Sequence, residues 1–511
     1  MKLASLLKNI DIRRTDAEGD LEISRVQYNS KKIEKGDLFV AIEGYTTDGH
    51  KFIKDAVERG AAAVLVTKWQ EDLPIPQILT DNNRRALARI AVNLNADPSR
   101  ELEVIGITAS NGKTTTAKLL AEILRTNGEN TGVLGTVNYE FNEVSIPSKL
   151  TTPESLELQG LFRDMADADV QSVVMEVSSQ GIEMSRVHGI RFRQLAMNNI
   201  TREHIDQHGS FENYWAIKQT LITHADPDTE IVLNADDEHA ISLRSHRPDA
   251  YTFAHHADAD VRCENLDLST GFPAFDVVLS DRFKERTGAR NLHVKVGVAG
   301  YHMVLNTLSA VTLALLHGVT PEVIEKAVRG YGGVERRFEM LYDRDYKIID
   351  DHFANVGNIN VSLETLAHMD YARLLPVYAI RGNRGVTVNR ENLETFLPRF
   401  RELRGESMIA TLSRDATTSH DEVSPEEELL FREYMDREGI DYTLYPSLEQ
   451  AIEAAAEQAR PGDVVLLAGC QGMDAGGEIF LRYLQSKDPA QTDLLKPVEH
   501  RICGKEFFEE R

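Results

Sequence analysis

A loop of small and hydroxyl-bearing residues around one lysine carries the strongest chemical signal in this sequence. It reads TASNGKTTT, includes Lys113, Thr114 and Thr115, and lies between the apolar run Val104–Ile107 and a helical pattern. Backbone N–H groups of such a loop, with the dipole of the following helix, can cradle phosphates, while lysine meets the β- and γ-phosphates and threonine offers a hydroxyl to Mg²⁺. Ile107 replaces the first glycine of the full phosphate-loop pattern, so a chance turn is the alternative. The flanking strand and helix favour a nucleotide site.

Two further polar residues follow predicted strands in the same region. Glu176 closes the apolar strand SVVMEV, and His204 lies in ITREHIDQH after another strand. Ligands of parallel sheets lie at the carboxyl ends of the strands, and a glutamate is seldom buried unpaired, so Glu176 is predicted to hold Mg²⁺ or substrate. His204 could be a metal ligand, a switchable base or a helix cap, and taken alone it favours the structural interpretation.

Alternating strand and helix patterns position these residues. Residues 38–69 read strand, glycine-containing loop, helix, strand, and a helix follows to about Leu94. Strands are predicted at Val104–Ile107, Ser172–Val177, Leu195–Ile200 and Glu230–Leu233. Between residues 246 and 300, the runs FDVVL and LHVKV indicate a small antiparallel appendage.

From about Leu341 the alternation starts again. The predicted strands are KIIDD, LLPVYAI, SMIATL, DYTLY and DVVLLAG, and the predicted helices lie around residues 361–369, 393–403, 426–438 and 449–459. Such a series is typical of a doubly wound domain.

The whole chain is therefore predicted to be an α/β protein of three domains. Residues 1–100 form a small N-terminal α/β domain, residues 101–338 a central P-loop ATPase domain with a mostly parallel sheet, and residues 339–511 a C-terminal doubly wound, Rossmann-like domain.

Composition argues against several classes of binding partner. The 511 residues carry a net charge of −24 without a block of lysine and arginine, which argues against nucleic acid. The three cysteines Cys263, Cys470 and Cys503 are far apart and indicate neither a disulfide framework nor a metal knuckle. The N-terminal segment is charged too early for a signal peptide, and no apolar run reaches membrane-spanning length. We expect a cytoplasmic monomer with small-molecule substrates and no membrane partner.

Longer motifs resemble one family. The segments MEVSSQGIEMSRVHGI and NNITREHIDQHGSFENYWAIK are similar to the central domain of the Mur ligases, most closely the type that adds the third residue to UDP-N-acetylmuramoyl-dipeptide. Further matching motifs, in the same order, are NSKKIEKGDLFVAIEGYTTDGHKFIKDAVERGAAAVLV, TASNGKTTT, LTTPESLELQ, VLNADD, GYHMVLNTLSA and VERRFEML. The resemblance implies one domain for a UDP-sugar, a central ATPase and a C-terminal domain that brings in an amino acid.

The resemblance also implies residue roles. Those implied for ATP are Asn111, Gly112, Lys113, Thr114, Thr115, His302, Asn306, Arg337 and Asp350. His302 and Asn306 would contact adenine, Arg337 a phosphate or ribose, and Asp350 would link the nucleotide to the mobile third domain. Those implied for Mg²⁺ are Thr114, Glu176, His204 and Lys218, and the catalytic set is Lys113, Glu176, His204 and Lys218. The muramoyl peptide would meet Thr151, Thr152, Ser178 and Arg186, and the uridine side Ser30.

Lys218 matches a lysine that in this family is carbamylated by CO₂. A carbamate turns a cation into an oxygen-donor anion that suits a hard cation such as Mg²⁺. Taken alone, Lys218 would be a solvated helix residue.

Several positions depart from the family pattern. Ala109 replaces a usual glycine, which is tolerable where φ is negative and strained otherwise. Asn29 and Lys31 replace the usual Asp and Arg beside Ser30, and Gln180 replaces a common His. The Tyr-Ala-His-Thr-Pro stretch has become residues 351–356, DHFANV.

The acceptor motifs have changed most. Residues 411–416, TLSRDA, stand where Asp-Asn-Pro-Arg is expected, and residues 469–474, GCQGMD, stand where Gly-Lys-Gly-His-Glu is expected. We predict that Arg414 meets an acceptor carboxylate and that Asp474 or Asp415 meets an amine, with solvated loop charges as an equal alternative.

The predicted function is an ATP-dependent amide ligase of peptidoglycan synthesis. A carboxylate of a UDP-N-acetylmuramoyl peptide would attack ATP to give an acyl phosphate, and an amino acid would displace phosphate. One alternative is a Mur-like ligase recruited to a pathway outside peptidoglycan, joining an amino acid to another carboxylate. The other is a non-catalytic paralogue that binds nucleotide or UDP-sugar, against which the joint retention of Lys113, Glu176, His204 and Lys218 weighs.

Overall fold

The chain folds into two compact units. The structure is a computed structural model that describes residues 1–44, 47–201, 208–499, 501 and 503–509. The first unit comprises residues 1–262, 279–290 and 308–324, and the second comprises residues 263–278, 291–307 and 325–511.

The first unit begins with a small sheet of the order β1-β5-β4-β3-β2, in which only β1 runs antiparallel to its neighbour. Its strands are β1 Arg14–Thr15, β2 Val26–Gln27, β3 Leu38–Val40, β4 Ala63–Val66 and β5 Gln77–Leu79. Its helices are α1 Leu3–Leu6, α2 Ile53–Glu58 and α3 Asn83–Leu94. The predicted order of strand, helix, strand and helix is confirmed.

A larger sheet follows in the first unit. Its strands are β6 Glu103–Thr108, β7 Thr131–Leu134, β8 Asn138–Phe141, β9 Val144–Pro147, β10 Ser172–Glu176, β11 Gln194–Met197, β12 Glu230–Asn234 and β13 Tyr251–Ala254. Their order is β13-β12-β11-β6-β10-β7-β8-β9, parallel from β13 to β7, with β8 and β9 added antiparallel. The predicted parallel sheet is confirmed.

Helices of several lengths lie along this part of the chain. They are α4 Lys113–Thr126, α5 Ser155–Asp167, α6 Ser179–Glu183, α7 Phe211–Thr223, α8 Glu238–Ser242, α9 Asp281–Thr287, α10 Met303–His317 and α11 Pro321–Gly330. Strand β14 Val261–Asp267 begins beside β13, and β15 Ala274–Leu279 pairs antiparallel with β16 Leu292–Lys295, as predicted for the appendage.

The second unit contains a six-stranded sheet of the order β17-β18-β22-β19-β20-β21, parallel except for β17. Its strands are β17 Glu339–Asp343, β18 Lys347–Asp351, β19 Leu374–Ala379, β20 Ser407–Thr411, β21 Asp441–Tyr445 and β22 Val464–Ala468. Its helices are α12 Val356–His368, α13 Gly385–Phe400, α14 Pro425–Glu438, α15 Leu448–Gln458, α16 Gly476–Lys487 and α17 Lys505–Glu509. Within the described ranges, no helix is long and apolar enough to cross a membrane.

Buried apolar strands and amphipathic helices account for these elements. All residues of β10, β19 and β22 are buried, as expected for strands covered on both faces.

Three predicted boundaries are wrong. Helix α12 starts at Val356 because Asn355 caps it, and β11 ends at Met197, whereas the sequence placed its end at Ile200.

The third wrong boundary has a long-range cause. Helix α13 starts at Gly385, eight residues before the predicted start at residue 393. The buried Glu427 carboxylate, on α14, accepts the N–H groups of Asn383, Arg384 and Gly385 at 3.1, 3.0 and 2.8 Å. This anion at the N-terminus stabilises a first turn that the sequence pattern does not indicate.

We expect Glu427→Gln to lower the free energy of unfolding by about 1–3 kcal/mol, since the amide loses the charge that four backbone N–H groups face, the three named above and that of Ser424 at 2.9 Å. Burial raises the pKa of Glu427, but these backbone hydrogen bonds outweigh it and the net pKa is lowered. Its stabilisation is therefore complete above the ordinary value of 4.5 and is lost as the pH falls through the lower folded pKa. Urea unfolding as a function of pH measures both effects. The exposed neighbour variant Glu426→Gln is the control and should leave stability unchanged.

Candidate active site

The phosphate-loop motif has the geometry that its sequence predicts. Strand β6 ends at Thr108, the loop spans residues 109–112, and the fourteen-residue helix α4 begins at Lys113. Gly112 precedes the helix with φ of +85°, a conformation that favours glycine. Ala109 does not have a positive φ, so its side chain causes no strain. The loop therefore presents the N-terminus of α4, where phosphates bind.

Two neighbouring segments fix the shape of this loop. The Asn199 side chain accepts the N–H of Asn111 at 2.9 Å and donates to the carbonyl oxygen of Asn111 at 2.8 Å. The Ser110 and Tyr214 hydroxyl oxygens lie 2.8 Å apart, which ties the loop to α7. The phosphate loop is thus held in place from the end of β11 and from α7.

Both predicted lysines converge on one backbone carbonyl. Lys113 donates from Nζ to the oxygens of Ala109 and Ser110, each at 2.9 Å. Lys218, on α7 and buried, also donates to the Ala109 oxygen, and its Nζ lies 5.1 Å from the centroid of the Tyr214 ring. The fold brings together two side chains that are 105 residues apart in the sequence.

Glu176 lies at the carboxyl end of β10 and faces the first turn of α4. Its carboxylate accepts the Thr114 hydroxyl at 2.9 Å, the Thr136 N–H at 2.8 Å and the Thr136 hydroxyl at 3.0 Å. A Cβ atom at Gly135 would overlap this carboxylate, so the absence of a side chain there makes room for it. The arrangement places a carboxylate and a hydroxyl beside each other, an oxygen pair that suits Mg²⁺.

A cavity of about 170 Å³ opens beside these groups. Five predicted residues line it, namely Lys113, Thr151, Ser178, Arg186 and Lys218. Thr152 lies behind the wall, where it donates to the Glu176 backbone oxygen at 2.9 Å and accepts the Ser178 N–H at 3.0 Å. The larger cavities of 430 and 390 Å³ contain none of the predicted site residues.

Arg186 and Ser30 have protein partners of their own. The Arg186 guanidinium donates to the Glu154 carboxylate at 3.0 Å and to the Thr152 carbonyl at 3.1 Å. Ser30 begins a short 3₁₀ turn near the N-terminal sheet, is bonded to Asp55, and does not line the cavity. Ser30 is therefore the one predicted donor contact that the first unit does not bring to this cavity or its wall.

Sequence reasoning missed several residues of this site. Thr136, Ser179 and Tyr214 also line the cavity, as does Gln180, which the sequence marked only as a departure from the family pattern. Thr136 follows β7 just as Glu176 ends β10, so its position after a strand was the available signal. His204 lies outside the described residues, and Thr115 lies in the first turn of α4.

The second unit contains the remaining nucleotide candidates. His302 has a buried Nδ1 with no hydrogen-bond partner among the described residues, and burial, with the nearby Arg337, lowers its pKa to about 4. Asn306 is buried on α10, and Arg337 is exposed. An unpartnered, neutral ring nitrogen is a suitable hydrogen-bonding group for a base such as adenine.

Asp350 lies in a buried charge network. Its carboxylate accepts hydrogen bonds from the guanidinium groups of Arg336 at 3.1 Å and Arg501 at 2.7 Å. Arg336 also pairs with Asp474, and Arg501 also pairs with Glu339. Burial favours a lower pKa for Arg336, but Asp350 and Asp474 outweigh it and the pKa is raised. Asp474, predicted to meet an amine, therefore already has a guanidinium partner. Arg336 and Arg501 were not predicted.

The other acceptor candidates differ in their surroundings. Arg414 is exposed in the segment after β20, and its backbone N–H donates to Pro446 at 3.0 Å. Asp415 caps α15 through the Ser447 hydroxyl at 2.8 Å and the Leu448 N–H at 2.7 Å. The Asp415 carboxylate thus has a structural role, whereas Arg414 remains exposed.

Another group of possible metal ligands, Glu43, Asp48 and His50, lies in the N-terminal region. His50 Nδ1 is 2.7 Å from Asp48, its Nε2 accepts the Thr67 N–H at 3.0 Å, and Lys68 pairs with Glu43 at 2.9 Å. These groups bond to one another and to their neighbours, so they stabilise the local structure. We predict no metal site from them.

The fold and the loop between β6 and α4 are those of α/β proteins with a phosphate-loop motif. Residues 107–314 match the Mur ligase middle domain, residues 336–471 the Mur ligase, glutamate ligase domain, and residues 22–124 the Mur ligase family, catalytic domain. The UDP-N-acetylmuramoyl-L-alanyl-D-glutamate--2,6-diaminopimelate ligase of Clostridium botulinum is 32% identical over 485 residues, which cover 92% of this chain and 94% of that protein. The chain belongs to the Mur ligase family.

Solved structures share the fold. A structure of UDP-N-acetylmuramoyl-L-alanyl-D-glutamate--2,6-diaminopimelate ligase matches with a TM-score of 0.70 and 23% identity, over 92% of this chain and 93% of that one. MurF ligase from Thermotoga maritima in complex with ADP matches with a TM-score of 0.60 and 21% identity, over 92% of this chain and all of that one. The predicted family and fold class are confirmed, and the roles of individual residues and the domain boundaries stay predictions.

We expect Gly135→Ala to lower the turnover number at least about 100-fold, because a methyl group there displaces the Glu176 carboxylate and misplacements of about 1 Å have effects of this size. Gly135 has no positive φ, so the effect is steric. The control Gly160→Ala lies in α5 with open space around it and should keep activity while gaining about 0.5–1 kcal/mol of stability. Steady-state ADP formation measures the activity of both variants, and thermal unfolding measures their stability. Equal activity of the two would contradict the proposed importance of Glu176.

Proposed function

We propose that this protein is an ATP-dependent ligase that joins an amino acid to the carboxylate of UDP-N-acetylmuramoyl-L-alanyl-D-glutamate. The observation that carries the proposal is the convergence of Lys113, Lys218, Glu176 and the N-terminus of α4 beside one cavity. The named substrate of the Clostridium botulinum relative supports the choice of donor. In this proposal residues 1–100 hold the UDP-sugar, residues 101–338 bind ATP and residues 339–511 bring in the amino acid.

The reaction proceeds in two steps. The donor carboxylate attacks the γ-phosphorus of ATP, which gives an acyl phosphate and ADP, and the amine then displaces phosphate to form the amide. Lys113 and the α4 N–H groups neutralise the phosphate charge during the first step. Thr151, Ser178 and Arg186 orient the donor peptide in the cavity.

The residues present fit Mg²⁺. The Thr114 hydroxyl and the Glu176 carboxylate, 2.9 Å apart, are the proposed ligands in the described part of the chain, with His204 and a carbamylated Lys218 as the further predicted ones. When bound, Mg²⁺ would supply positive charge to the phosphate oxygens.

The electrostatics of the loop support the proposed carbamylation of Lys218. Two ammonium groups, those of Lys113 and Lys218, share the Ala109 carbonyl, and like charges at such separations repel. Addition of CO₂ to Lys218 replaces one cation by an anion, which pairs with Lys113 and adds an oxygen ligand for Mg²⁺.

The acceptor differs from that of the diaminopimelate ligases in how it is held. The Asp-Asn-Pro-Arg motif is missing, Asp474 is paired with Arg336, and Asp415 caps α15. Exposed Arg414 is the proposed contact for an acceptor carboxylate, and the identity of the amino acid is left to a panel of amines.

The test of this function is whether ADP and phosphate form only when donor and amine are both present. We expect one tripeptide product per ADP with UDP-N-acetylmuramoyl-L-alanyl-D-glutamate and the preferred amine, measured by mass spectrometry and phosphate release. A donor without the UDP-muramoyl group should be inactive, and its turnover instead would favour a pathway outside peptidoglycan. AMP as product, or steady ATP hydrolysis without substrates, would contradict the proposal.

We expect Lys218→Ala to lose nearly all ligase activity, because the carbamate and its charge disappear together. Removal of dissolved CO₂ should lower the wild-type activity, and bicarbonate should restore it. NMR of enzyme exposed to isotopically labelled bicarbonate measures the modification directly, and Lys218→Ala should lack the signal. The exposed Lys149→Ala variant is the control and should keep both signal and activity. A fully active enzyme with an unmodified Lys218 would refute this assignment.

A further inference from the structure

Three residues with no role in the reaction described so far form a chain that ends at the cavity. Ser179 and Glu183 are the first and last residues of α6, and His208 precedes α7. The Ser179 hydroxyl lies 3.0 Å from His208 Nε2, and His208 Nδ1 lies 3.3 Å from the Glu183 carboxylate. The order is hydroxyl, imidazole, carboxylate, which is the arrangement that activates a hydroxyl in proton transfer.

The positions of the protons follow from the neighbours. A carboxylate beside Nδ1 favours the proton on that nitrogen, which leaves Nε2 as the acceptor of the Ser179 hydroxyl proton. The oxygen lone pairs of Ser179 are then available to the cavity, which Ser179 lines together with Lys113 and Lys218.

The imidazole is fully buried and not fully bonded. Its side chain has no exposed area, and Nδ1 makes no aligned hydrogen bond with any described residue, although Glu183 is within ion-pair distance. A buried polar atom without a partner is costly, and catalytic hydrogen bonds are often poorly aligned before substrate binds. The His208 and Tyr214 ring centroids lie 5.6 Å apart. If the only role of residue 208 were to pack against Tyr214, an apolar aromatic ring would fill the space without burying an unbonded nitrogen.

The second step of the reaction needs such a group. When the amine attacks the acyl phosphate, its nitrogen becomes positively charged and must lose a proton. The Lys113 ammonium and the Arg186 guanidinium cannot accept a proton. The Lys218 carbamate of the proposed function would be engaged with Mg²⁺ and Lys113, and the Thr136 hydroxyl donates to Glu176. The Ser178 hydroxyl oxygen accepts the N–H of Gly181, which caps α6, and it is also hydrogen-bonded to the Thr152 hydroxyl.

We propose that Ser179, His208 and Glu183 form a proton relay for the acceptor amine. The nitrogen forms its bond to the acyl carbon and the carbonyl electron pair moves to oxygen. The N–H proton passes to the Ser179 oxygen while the Ser179 proton passes to His208 Nε2, giving an imidazolium that faces Glu183. The carbon–oxygen bond to phosphate then breaks, phosphate leaves with the electron pair, and the carbonyl re-forms. Ser179 is the catalytic residue here, and His208 and Glu183 are positioning residues that act through it.

The inference deepens the proposed function and rests on it, so the experiment separates the two half-reactions. Ser179→Ala preserves size and should leave acyl phosphate formation unchanged, measured by positional isotope exchange in ATP. Amide formation should fall roughly 100- to 10,000-fold, the usual contribution of general acid–base catalysis. Ser179→Thr, which keeps the hydroxyl, should recover part of the amide rate, and Glu183→Gln should reduce it less than Ser179→Ala does.

Hydroxylamine provides the control for folding and binding. Its adduct is acidic enough to lose a proton to water, so the wild type and Ser179→Ala should trap the acyl phosphate as hydroxamate at equal rates. An unchanged amide rate in Ser179→Ala, or an equal loss of isotope exchange and amide formation, would overturn the relay. Absence of amide formation by the wild type with every amine would instead refute the proposed function.

Discussion

The carbonyl oxygen of Ala109 is the point on which the central site depends. Lys113 and Lys218 both donate to it, although they belong to different helices. This shared acceptor places the side-chain nitrogens of Lys113 and Lys218 just beyond the carboxyl end of β6, next to the N-terminus of α4. The Lys113 ammonium and the N-terminus of α4 concentrate positive charge here, an arrangement that suits a polyanion even in a protein of net charge −24.

Hydroxyl and amide side chains keep this arrangement rigid. Thr136, Thr152 and Asn199 each connect the end of one strand to a neighbouring segment, and each has its own hydrogen bonds satisfied. A site that must distinguish small changes of charge at a reacting carboxylate benefits from walls that do not reorganise. Ser179 also lines this cavity.

The second unit uses buried charge differently. Arg336 and Arg501 are enclosed together with Asp350 and Glu339, and a buried charge is tolerated only when it is paired. The pairs of Arg501 connect this residue to Glu339 on β17 and to Asp350 on β18. Because Asp474 joins the same network, one of the two segments that differ most from the family pattern is held by internal ion pairs, whereas Arg414 in the other segment is exposed.

The sequence by itself determined the order of strands and helices, the phosphate loop and the family, because hydrophobic periodicity and loop composition are local properties. Residues such as Lys113, Glu176 and Lys218 could be named from motifs alone. Only the tertiary structure decided that Glu427 starts α13, that Arg501 reaches Asp350 across 151 residues, and that Ser179, His208 and Glu183 meet. Such contacts depend on which strand lies beside which and how helices pack on them, and a local pattern carries no information about that order.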